Sequence, residues 1–221
     1  MRFDIITIFP EMIESYLGES ILKRARAKKL VEFRVHNLRQ FSRDKKHEKI
    51  DDRPYGGGPG MVLQIEPLVQ VLSSVIPANP IRNFISNGAN AGIQKSKSKI
   101  ILFSGVGKQF NAKMAADLAK KYDQVIMIAG RYEGVDARIK KLYKMEEVSV
   151  GPYVLTGGEL PALVVIDAVS RHIPEFLEKM NHSKKNVMAW VYQSTPAQKF
   201  SSGRKKNIAC RRNCFQETIK K

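Results

Sequence analysis

A five-residue apolar run passes directly into a glycine-flanked polar turn in the stretch Val125-Ile126-Met127-Ile128-Ala129-Gly130-Arg131-Tyr132-Glu133-Gly134-Val135-Asp136. The run has the length and composition of a buried strand. Glycine adopts positive φ without steric cost and lets the backbone approach a ligand closely. Because α/β proteins bind ligands where their buried strands end, the turn is predicted to lie at a binding edge of a sheet.

A second glycine-studded segment follows, with the sequence Val150-Gly151-Pro152-Tyr153-Val154-Leu155-Thr156-Gly157-Gly158-Glu159-Leu160-Pro161. It also mixes glycine with aromatic and acidic side chains. Two such turns close together in the sequence predict a single small-molecule pocket.

The composition is that of a folded protein with a sizeable core. The chain has 221 residues and 43% hydrophobic content, which is enough for one or two domains. No segment approaches the roughly 20 continuous apolar residues of a membrane span. Asp4 stands where a signal peptide would be basic. Cys210 and Cys214 both lie in the tail, without a nearby histidine, so neither a disulfide framework nor zinc is expected. The simple interpretation is a cytoplasmic protein without a membrane partner.

The charge is strongly basic, with a formal net value of +17. Such an excess favours a nucleic-acid partner, because neutralising phosphates releases counterions. The alternative is an ordinary enzyme from a lysine-rich proteome. The first basic cluster, called cluster 23–29, contains Lys23, Arg24, Arg26, Lys28 and Lys29. The second, called cluster 39–49, contains Arg39, Arg43, Lys45, Lys46 and Lys49.

Strand-like and helix-like segments alternate along the chain. The strands are predicted at 2–9, 30–37, 100–103 and 125–129, and the helices at 11–29, 67–75, 111–121 and 162–170. A long charged loop is predicted at 39–53, a flexible insertion at 77–99 and a strand exit loop at 104–108. This alternation indicates an α/β fold with a largely parallel sheet.

Taken singly, the candidate residues have ordinary alternatives. Glu133 could be the N-cap of a helix or an acid in its first turn, and Arg131 could either hold a phosphate or pair with Asp136. Arg171 could be a solvated helix end. The loop at 104–108 lacks the spacer and the Gly-Lys-Ser/Thr ending of a P-loop. No residue is assigned as a metal ligand, and spacing assembles no Ser/His/Asp triad.

Taken together, these segments resemble the bacterial tRNA (guanine-N1)-methyltransferase family of the knotted SPOUT class. The resemblance covers residues 1 to about 177. The matching stretches are, in order, Met1-Arg2-Phe3-Asp4-Ile5-Ile6-Thr7-Ile8-Phe9-Pro10, Asp51-Asp52-Arg53-Pro54-Tyr55-Gly56-Gly57-Gly58-Pro59-Gly60-Met61, the turn at 130–136, residues 150–161 and Arg171-His172-Ile173-Pro174.

The resemblance implies a deep trefoil knot, which is an exception to the rule that chains avoid threading loops. It implies S-adenosylmethionine bound in the knot, a homodimer, and tRNA as substrate, methylated at N1 of the guanosine 3′ of the anticodon. It also admits magnesium, although the sulfonium needs no metal activation. The residues at the family's cofactor positions are Ser104, Gly105, Gly130, Tyr132, Glu133, Val150, Gly151, Pro152, Tyr153, Val154, Leu155, Gly157 and Gly158.

The chemistry gives these residues roles. Guanine N1 carries a proton and becomes a good nucleophile only when a positioned carboxylate removes that proton. By resemblance, Arg171 stabilises the negative charge that develops at the base O6, and Glu133 helps to hold the cofactor or the guanine. Pro152 stands where the family usually has Asp, and its nitrogen cannot donate a hydrogen bond. Ser104-Gly105-Val106-Gly107 likewise replaces the usual Ser-Pro-x-Gly.

From about Glu178 the motifs stop. The family's linker with its catalytic Asp and its helical tRNA-binding domain are not visible, and the tail at 178–221 is predicted to be disordered on composition. The genetic code allows codons for residues 192–198 and 215–220 that encode two family motifs when they are translated in the same shifted reading frame. This suggests a one-base frameshift between about Pro174 and Met180. We therefore expect cofactor binding without efficient turnover. The alternatives are an RNA-binding or cofactor-binding module without turnover, an rRNA methyltransferase of the same class and a P-loop nucleotidase.

Overall fold

The computed structural model describes residues 1–54, 57–76 and 97–176. The strands in these ranges are β1 (Arg2–Thr7), β2 (Glu32–Asn37), β3 (Asp51–Asp52), β4 (Val62–Leu63), β5 (Ser98–Gln109), β6 (Gln124–Ile128) and β7 (Met145–Ser149). The α-helices are α1 (Pro10–Leu17), α2 (Ser20–Ala27), α3 (Ile65–Val75), α4 (Ala112–Lys121), α5 (Ile139–Leu142) and α6 (Glu159–Ser170). A 3-10 turn at Leu38–Phe41 follows β2.

Within these ranges a five-stranded sheet has the order β2-β1-β6-β5-β7, and every neighbouring pair is parallel. This confirms the predicted α/β fold with a largely parallel sheet. In the described parts of the chain, no helix combines the length and the apolar composition needed to cross a bilayer.

The central strands are buried on both faces, which is typical of a parallel sheet covered by helices. Phe3, Ile5 and Met127 belong to the core on the side of α1, α2, α4 and α6. Ile6 and Ile126 point the other way, into a second core that includes α3 and α5. This alternation explains why β6 is apolar from Val125 onward: all five of its residues are buried, including Gln124 at its start.

The structure has two helices, α1 and α2, where the sequence predicted one helix at 11–29, so the prediction of a continuous helix was wrong. The N–H of Gly18 donates to the carbonyl oxygen of Glu14 at 2.9 Å and caps α1. Ser20, the first residue of α2, has a φ of 52°, which breaks the helical path. Leu17 and Leu22 are both buried, so the apolar periodicity continued across the break and concealed it.

Strand β7 was missed by the sequence prediction. Two of the five residues in its sequence Met145-Glu146-Glu147-Val148-Ser149 are acidic, so it does not read as an apolar run. Both acids have cationic partners: Glu146 pairs with Lys99 at 2.5 Å and Glu147 with Lys140 at 2.6 Å. Strand β7 is at the edge of the sheet, where charged side chains are common.

Strand β5 continues through the predicted exit loop at 104–108. Its register with β7 shifts between Phe103 and Lys108, as in a β-bulge. A Cβ on Gly107 would lie 2.6 Å from the backbone nitrogen of Val148. Glycine is therefore needed where the two strands approach each other.

Two other regions differ from their predicted form or lie outside the described residues. The predicted charged loop contains the short strand β3, which pairs antiparallel with β4 directly after the glycine-rich segment. Of the predicted insertion at 77–99, residues 77–96 lie outside the described residues, whereas Ser98 and Lys99 belong to β5. The tail from residue 177 also lies outside them, so its predicted disorder and the domain boundary stay predictions. Residues 1–176 belong to one compact unit.

Candidate active site

A cavity of about 560 Å³ lies at the carboxyl ends of β5, β6 and β7. It is bordered by the turn at 130–135 and the segment at 153–158, so the two glycine-studded stretches do meet at one pocket. The predicted cofactor residues that line it are Ser104, Gly105, Gly130, Tyr132, Glu133, Val150, Tyr153, Val154, Leu155, Gly157 and Gly158.

The cavity also has walls that the sequence motifs did not indicate. They include Leu102, Phe103, Lys140, Glu147, Val148 and Ser149. Most of these come from the missed strand β7 and from its neighbour β5. The signal that could have revealed them is the short Val148-Ser149-Val150 run before the second glycine segment, which is the end of a strand.

A backbone hydrogen bond holds the two glycine segments together. The N–H of Gly158 donates to the carbonyl oxygen of Gly130 at 2.9 Å. A Cβ on Gly158 would lie 2.6 Å from the Cα of Ala129 and 2.8 Å from the nitrogen of Gly130. The backbones are so close that no larger residue fits at position 158.

Glu133 lies where the glycine-rich loop that ends at Met61 contacts the turn at 130–136. The N–H of Glu133 donates to the carbonyl oxygen of Met61 at 3.0 Å. A Cβ on Gly60, which has a φ of +88°, would lie 2.4 Å from the Cγ of Glu133. No described helix begins at Glu133, since the next one starts at Ile139. The alternative of a first-turn helical acid was therefore wrong, and the exposed side chain faces the cavity.

Arg131 pairs with Glu159 rather than with Asp136. Its Nε donates to Glu159 Oε2 at 2.8 Å. Asp136 instead accepts from Arg138, whose Nε lies 3.0 Å from both carboxylate oxygens. The hydrogen bond from Arg138 lowers the pKa of Asp136, although partial burial works against this effect.

Three predicted site residues do not line the cavity within the described residues: Gly151, Pro152 and Arg171. Gly151 lies beneath Tyr153, where a Cβ would come 2.1 Å from the ring carbon Cε1. Pro152 is exposed beside it. Gly151 therefore makes room for the Tyr153 ring, which does face the cavity.

Arg171 lies at the opposite end of α6 from the pocket. Gly158 and Arg171 are the N-cap and the C-cap of this helix. With a rise of about 1.5 Å per residue, they are roughly 20 Å apart along its axis. The guanidinium of Arg171 lies 3.6 Å from Asp167. In one copy of the chain, the fold separates the predicted catalytic arginine from the predicted cofactor residues.

No group of three or more His, Cys, Asp or Glu side chains is arranged to hold a metal ion in residues 1–54, 57–76 and 97–176.

Comparison with known proteins relates this architecture to one family. A family model described as "tRNA (Guanine-1)-methyltransferase TrmD" matches residues 1–207. The chain belongs to this family. The match extends past residue 177, where the recognisable motifs end, and it confirms the resemblance stated above. Members of the family are enzymes that modify tRNA.

Individual relatives agree with the family match. The chain is 44% identical over 190 residues to a tRNA (guanine-N(1)-)-methyltransferase of Dictyoglomus turgidum, covering 86% of this chain and 69% of the relative. A relative with the same name from Citrifermentans bemidjiense is 45% identical over 177 residues, covering 80% and 64%. One from Clostridioides difficile is 42% identical over 179 residues, covering 81% and 71%. The chain therefore spans about two thirds of the length of these relatives.

Proposed function

We propose that this protein binds S-adenosylmethionine and belongs to the machinery that methylates N1 of the guanosine 3′ of the tRNA anticodon. The observation that carries the proposal is the meeting of three family motifs, at 51–61, 130–136 and 150–161, around one cavity. The first contacts Glu133 through Gly60 and Met61, and the other two line the cavity directly. A cytoplasmic location is part of the proposal, because the substrate is a tRNA.

The cavity suits S-adenosylmethionine in size and chemistry. Its volume of about 560 Å³ falls in the usual range for small-molecule sites, about 300–1,000 Å³. Val154 and Leu155 offer apolar surface and Tyr153 an aromatic ring for the adenine. Glycine backbone allows close contact, and the exposed carboxylate of Glu133 can face a sulfonium cation. When bound, the cofactor supplies an electrophilic methyl group.

The chain's own residues then have distinct tasks in the proposed reaction. Glu133 holds the cofactor or the guanine from the edge of the cavity. Arg171 donates hydrogen bonds to the base O6 as negative charge develops there. The proton on N1 must go to a carboxylate. By resemblance that group is the Asp of the family's linker, which is not visible in this chain and which the frame-restored chain would supply. We assign no magnesium ligand.

A homodimer is part of the proposal, because α6 is mostly apolar and part of its apolar surface is exposed. Its inner face is buried, while Leu160 and Val164 on its outer face are about half exposed. Met12 and Tyr16 are exposed on α1, and Phe9 is exposed just before it. Helix α1 packs against α6, and the Tyr16 hydroxyl donates a hydrogen bond to Asp167. Large apolar side chains grouped on one exposed face are typical of a surface that another protein covers. A second copy covering this face would also bring a second Arg171, which could serve the partner's pocket.

We further propose the trefoil knot of the family. After β7, at the edge of the sheet, the chain reaches Gly158, whose N–H donates a hydrogen bond to the carbonyl oxygen of Gly130. The next residue, Glu159, accepts a hydrogen bond from Thr7 at the end of β1. The close contact between this path and the segment that follows β6 supports the proposed threading.

For tRNA, cluster 39–49 is the better placed of the two basic clusters. It follows the carboxyl end of β2, at the same edge of the sheet as the cavity. Cluster 23–29 precedes the amino end of β2, at the opposite edge. We therefore propose that phosphates near the target guanosine contact cluster 39–49.

Two measurements on the full chain test the proposed function. Isothermal titration with S-adenosylhomocysteine should show saturable binding. Slow transfer of labelled methyl groups should occur to a tRNA transcript with the guanosine, and none to a matched transcript with adenosine there. A chain that binds no S-adenosylhomocysteine, or that methylates both transcripts equally, contradicts the proposal. Binding without transfer would support the cofactor-binding alternative, which no described residue favours.

The proposed frameshift has its own test. Sequencing of the gene across codons 174–180 should show a base gained or lost relative to the family frame. A frame-restored chain should then transfer methyl groups faster than this one. An uninterrupted frame that encodes this tail would refute the proposal.

A further inference from the structure

Glu159 is a buried carboxylate that the reaction described above does not use. It is the first residue of α6 and is 1% exposed. Removing a carboxylate from water is costly, and a buried ion pair seldom repays that cost as stability. Its place directly behind the cavity suggests that it has a different role.

Two donors from distant parts of the chain hold this carboxylate. The hydroxyl of Thr7, at the end of β1, donates to Glu159 Oε1 at 2.8 Å. Arg131 Nε, from the turn that lines the cavity, donates to Oε2 at 2.8 Å. Each oxygen therefore accepts one hydrogen bond, and the carboxylate joins three elements: β1, the turn and α6.

Arg131 continues the network toward the cavity wall. Its Nη1 donates to the carbonyl oxygen of Thr156 at 3.3 Å, and its guanidinium lies 4.8 Å from the centre of the Phe9 ring. The N–H of Phe9 in turn donates to the Thr7 hydroxyl oxygen at 2.9 Å. The contacts thus form a closed ring of Thr7, Glu159, Arg131 and Phe9.

The packing at this ring is tight. A Cβ on Gly157 would lie 2.3 Å from Arg131 Nε and 2.6 Å from Glu159 Oε2. Arg131 and Gly157 both line the cavity. The ion pair therefore sets the spacing between the turn at 130–134 and the segment at 156–158, which are two walls of the same pocket.

We propose that Glu159 is a positioning residue for the methyl donor: with Thr7, it locks Arg131 so that the two glycine walls have their binding geometry before the ligand arrives. This inference rests on the proposed function. Prior ordering raises affinity, because a ligand then need not spend binding free energy on ordering the walls.

The test measures the dissociation constant of S-adenosylhomocysteine by titration calorimetry on the full chain, below the unfolding temperature of each variant. Glu159→Gln keeps the shape and removes the charge. Thr7→Val keeps the shape and removes the donor. Both should weaken binding by about tenfold or more, the order expected for one charge-assisted hydrogen bond. Thr7→Ser restores the hydroxyl and should bind within about twofold of wild type.

Asp4→Asn is the matched control. Asp4 is also 1% exposed and lies in β1, but its partners are His36, Gln124 and Arg2, none of which lines the cavity. It should lower the thermal midpoint and leave the dissociation constant within about twofold. The double variant of Thr7→Val and Glu159→Gln should weaken binding by less than the product of the two single effects, because both act through Arg131.

The outcomes separate the two proposals. A wild-type chain that binds no S-adenosylhomocysteine overturns the proposed function and this inference together. A wild-type chain that binds, with Glu159→Gln and Thr7→Val binding equally well, overturns the positioning role alone. Weakening by Asp4→Asn to the same degree would also overturn it, since general destabilisation would then explain every result. If Glu159→Gln does not fold, Thr7→Val against Thr7→Ser makes the same comparison.

Discussion

The N–H of Gly158 donates a hydrogen bond of 2.9 Å to the carbonyl oxygen of Gly130, and this bond joins two segments that are 28 positions apart in the numbering. Each segment lines the same cavity. The bond also places the amino end of α6 beside the carboxyl end of β6. The geometry of the candidate site therefore depends on a backbone contact that tolerates no side chain at position 158.

Gly158→Ala should destabilise the protein and weaken binding of S-adenosylhomocysteine. Its Cβ would lie 2.6 Å from the Cα of Ala129, and backbone on both sides has little freedom to move. Overpacking of this kind costs about 1–3 kcal/mol. Urea unfolding measures the loss. Gly105→Ala is the control, because Gly105 also lines the cavity while no described atom lies within 4 Å of its added Cβ. Equal stability of the two variants would contradict this prediction.

Gly60→Ala should move the carboxylate of Glu133. The added Cβ would lie 2.4 Å from Glu133 Cγ, and alanine at a φ of +88° is strained by about 1–2 kcal/mol. Gly57→Ala separates these effects, since Gly57 has a φ of +86° and no described atom within 4 Å of its added Cβ. Calorimetry should show weaker S-adenosylhomocysteine binding for Gly60→Ala than for Gly57→Ala. Identical affinities would show that Glu133 does not contact this ligand.

Stability should fall in acid partly because of Asp4. Burial by itself raises the pKa of this carboxyl, but hydrogen bonds from His36 and Gln124 and the charge of Arg2 outweigh burial and hold the pKa below its ordinary value. The unfolded chain therefore takes up this proton at a higher pH than the folded chain. The stabilisation is complete above the unfolded value, about pH 4, and is lost as the pH falls through the lower folded value.

Asp4→Asn removes this titration. Its unfolding free energy at pH 7 should be lower than that of wild type, by about 1–3 kcal/mol, and the difference should shrink between about pH 5 and pH 3. Urea unfolding over that range measures both curves. Asp44, Asp136 and Glu146 also have lowered pKa values, and they contribute equally to both proteins. A difference that stays constant with pH would contradict the assignment to Asp4.

Arg171→Ala should separate cofactor binding from methyl transfer. Because Arg171 lies at the far end of α6 and does not line the described cavity, binding of S-adenosylhomocysteine should change by less than about twofold. Loss of a donor to a developing oxyanion costs about 10²–10³ in rate. Single-turnover transfer by this chain or its frame-restored form measures that loss. Arg171→Lys keeps the charge but loses the fork of donors, so it should recover only part of the rate. Much weaker ligand binding would place Arg171 at the cofactor instead.

The parallel sheet and the cavity at its carboxyl edge agree with predictions from local patterns. The run at 125–129 predicted a buried strand because both faces of β6 are covered, and the glycines after it marked a turn at the carboxyl edge. The local patterns did not predict the break between α1 and α2 or the register shift in β5. The interruption of α1 and α2 at Gly18 was concealed by a continuous apolar stripe, and β7 was concealed by acids whose cationic partners come from other elements.

Sequence alone determined the family, the fold class and which glycine segments matter, because these depend on residue types in order along the chain. The tertiary structure decided that Arg131 bonds to Glu159 and not to Asp136, that Gly60 supports Glu133, and that Arg171 lies roughly 20 Å along α6 from the pocket. Each of these depends on a distance between residues remote in sequence. Such distances are set by the packing of strands and helices, and no local pattern encodes them.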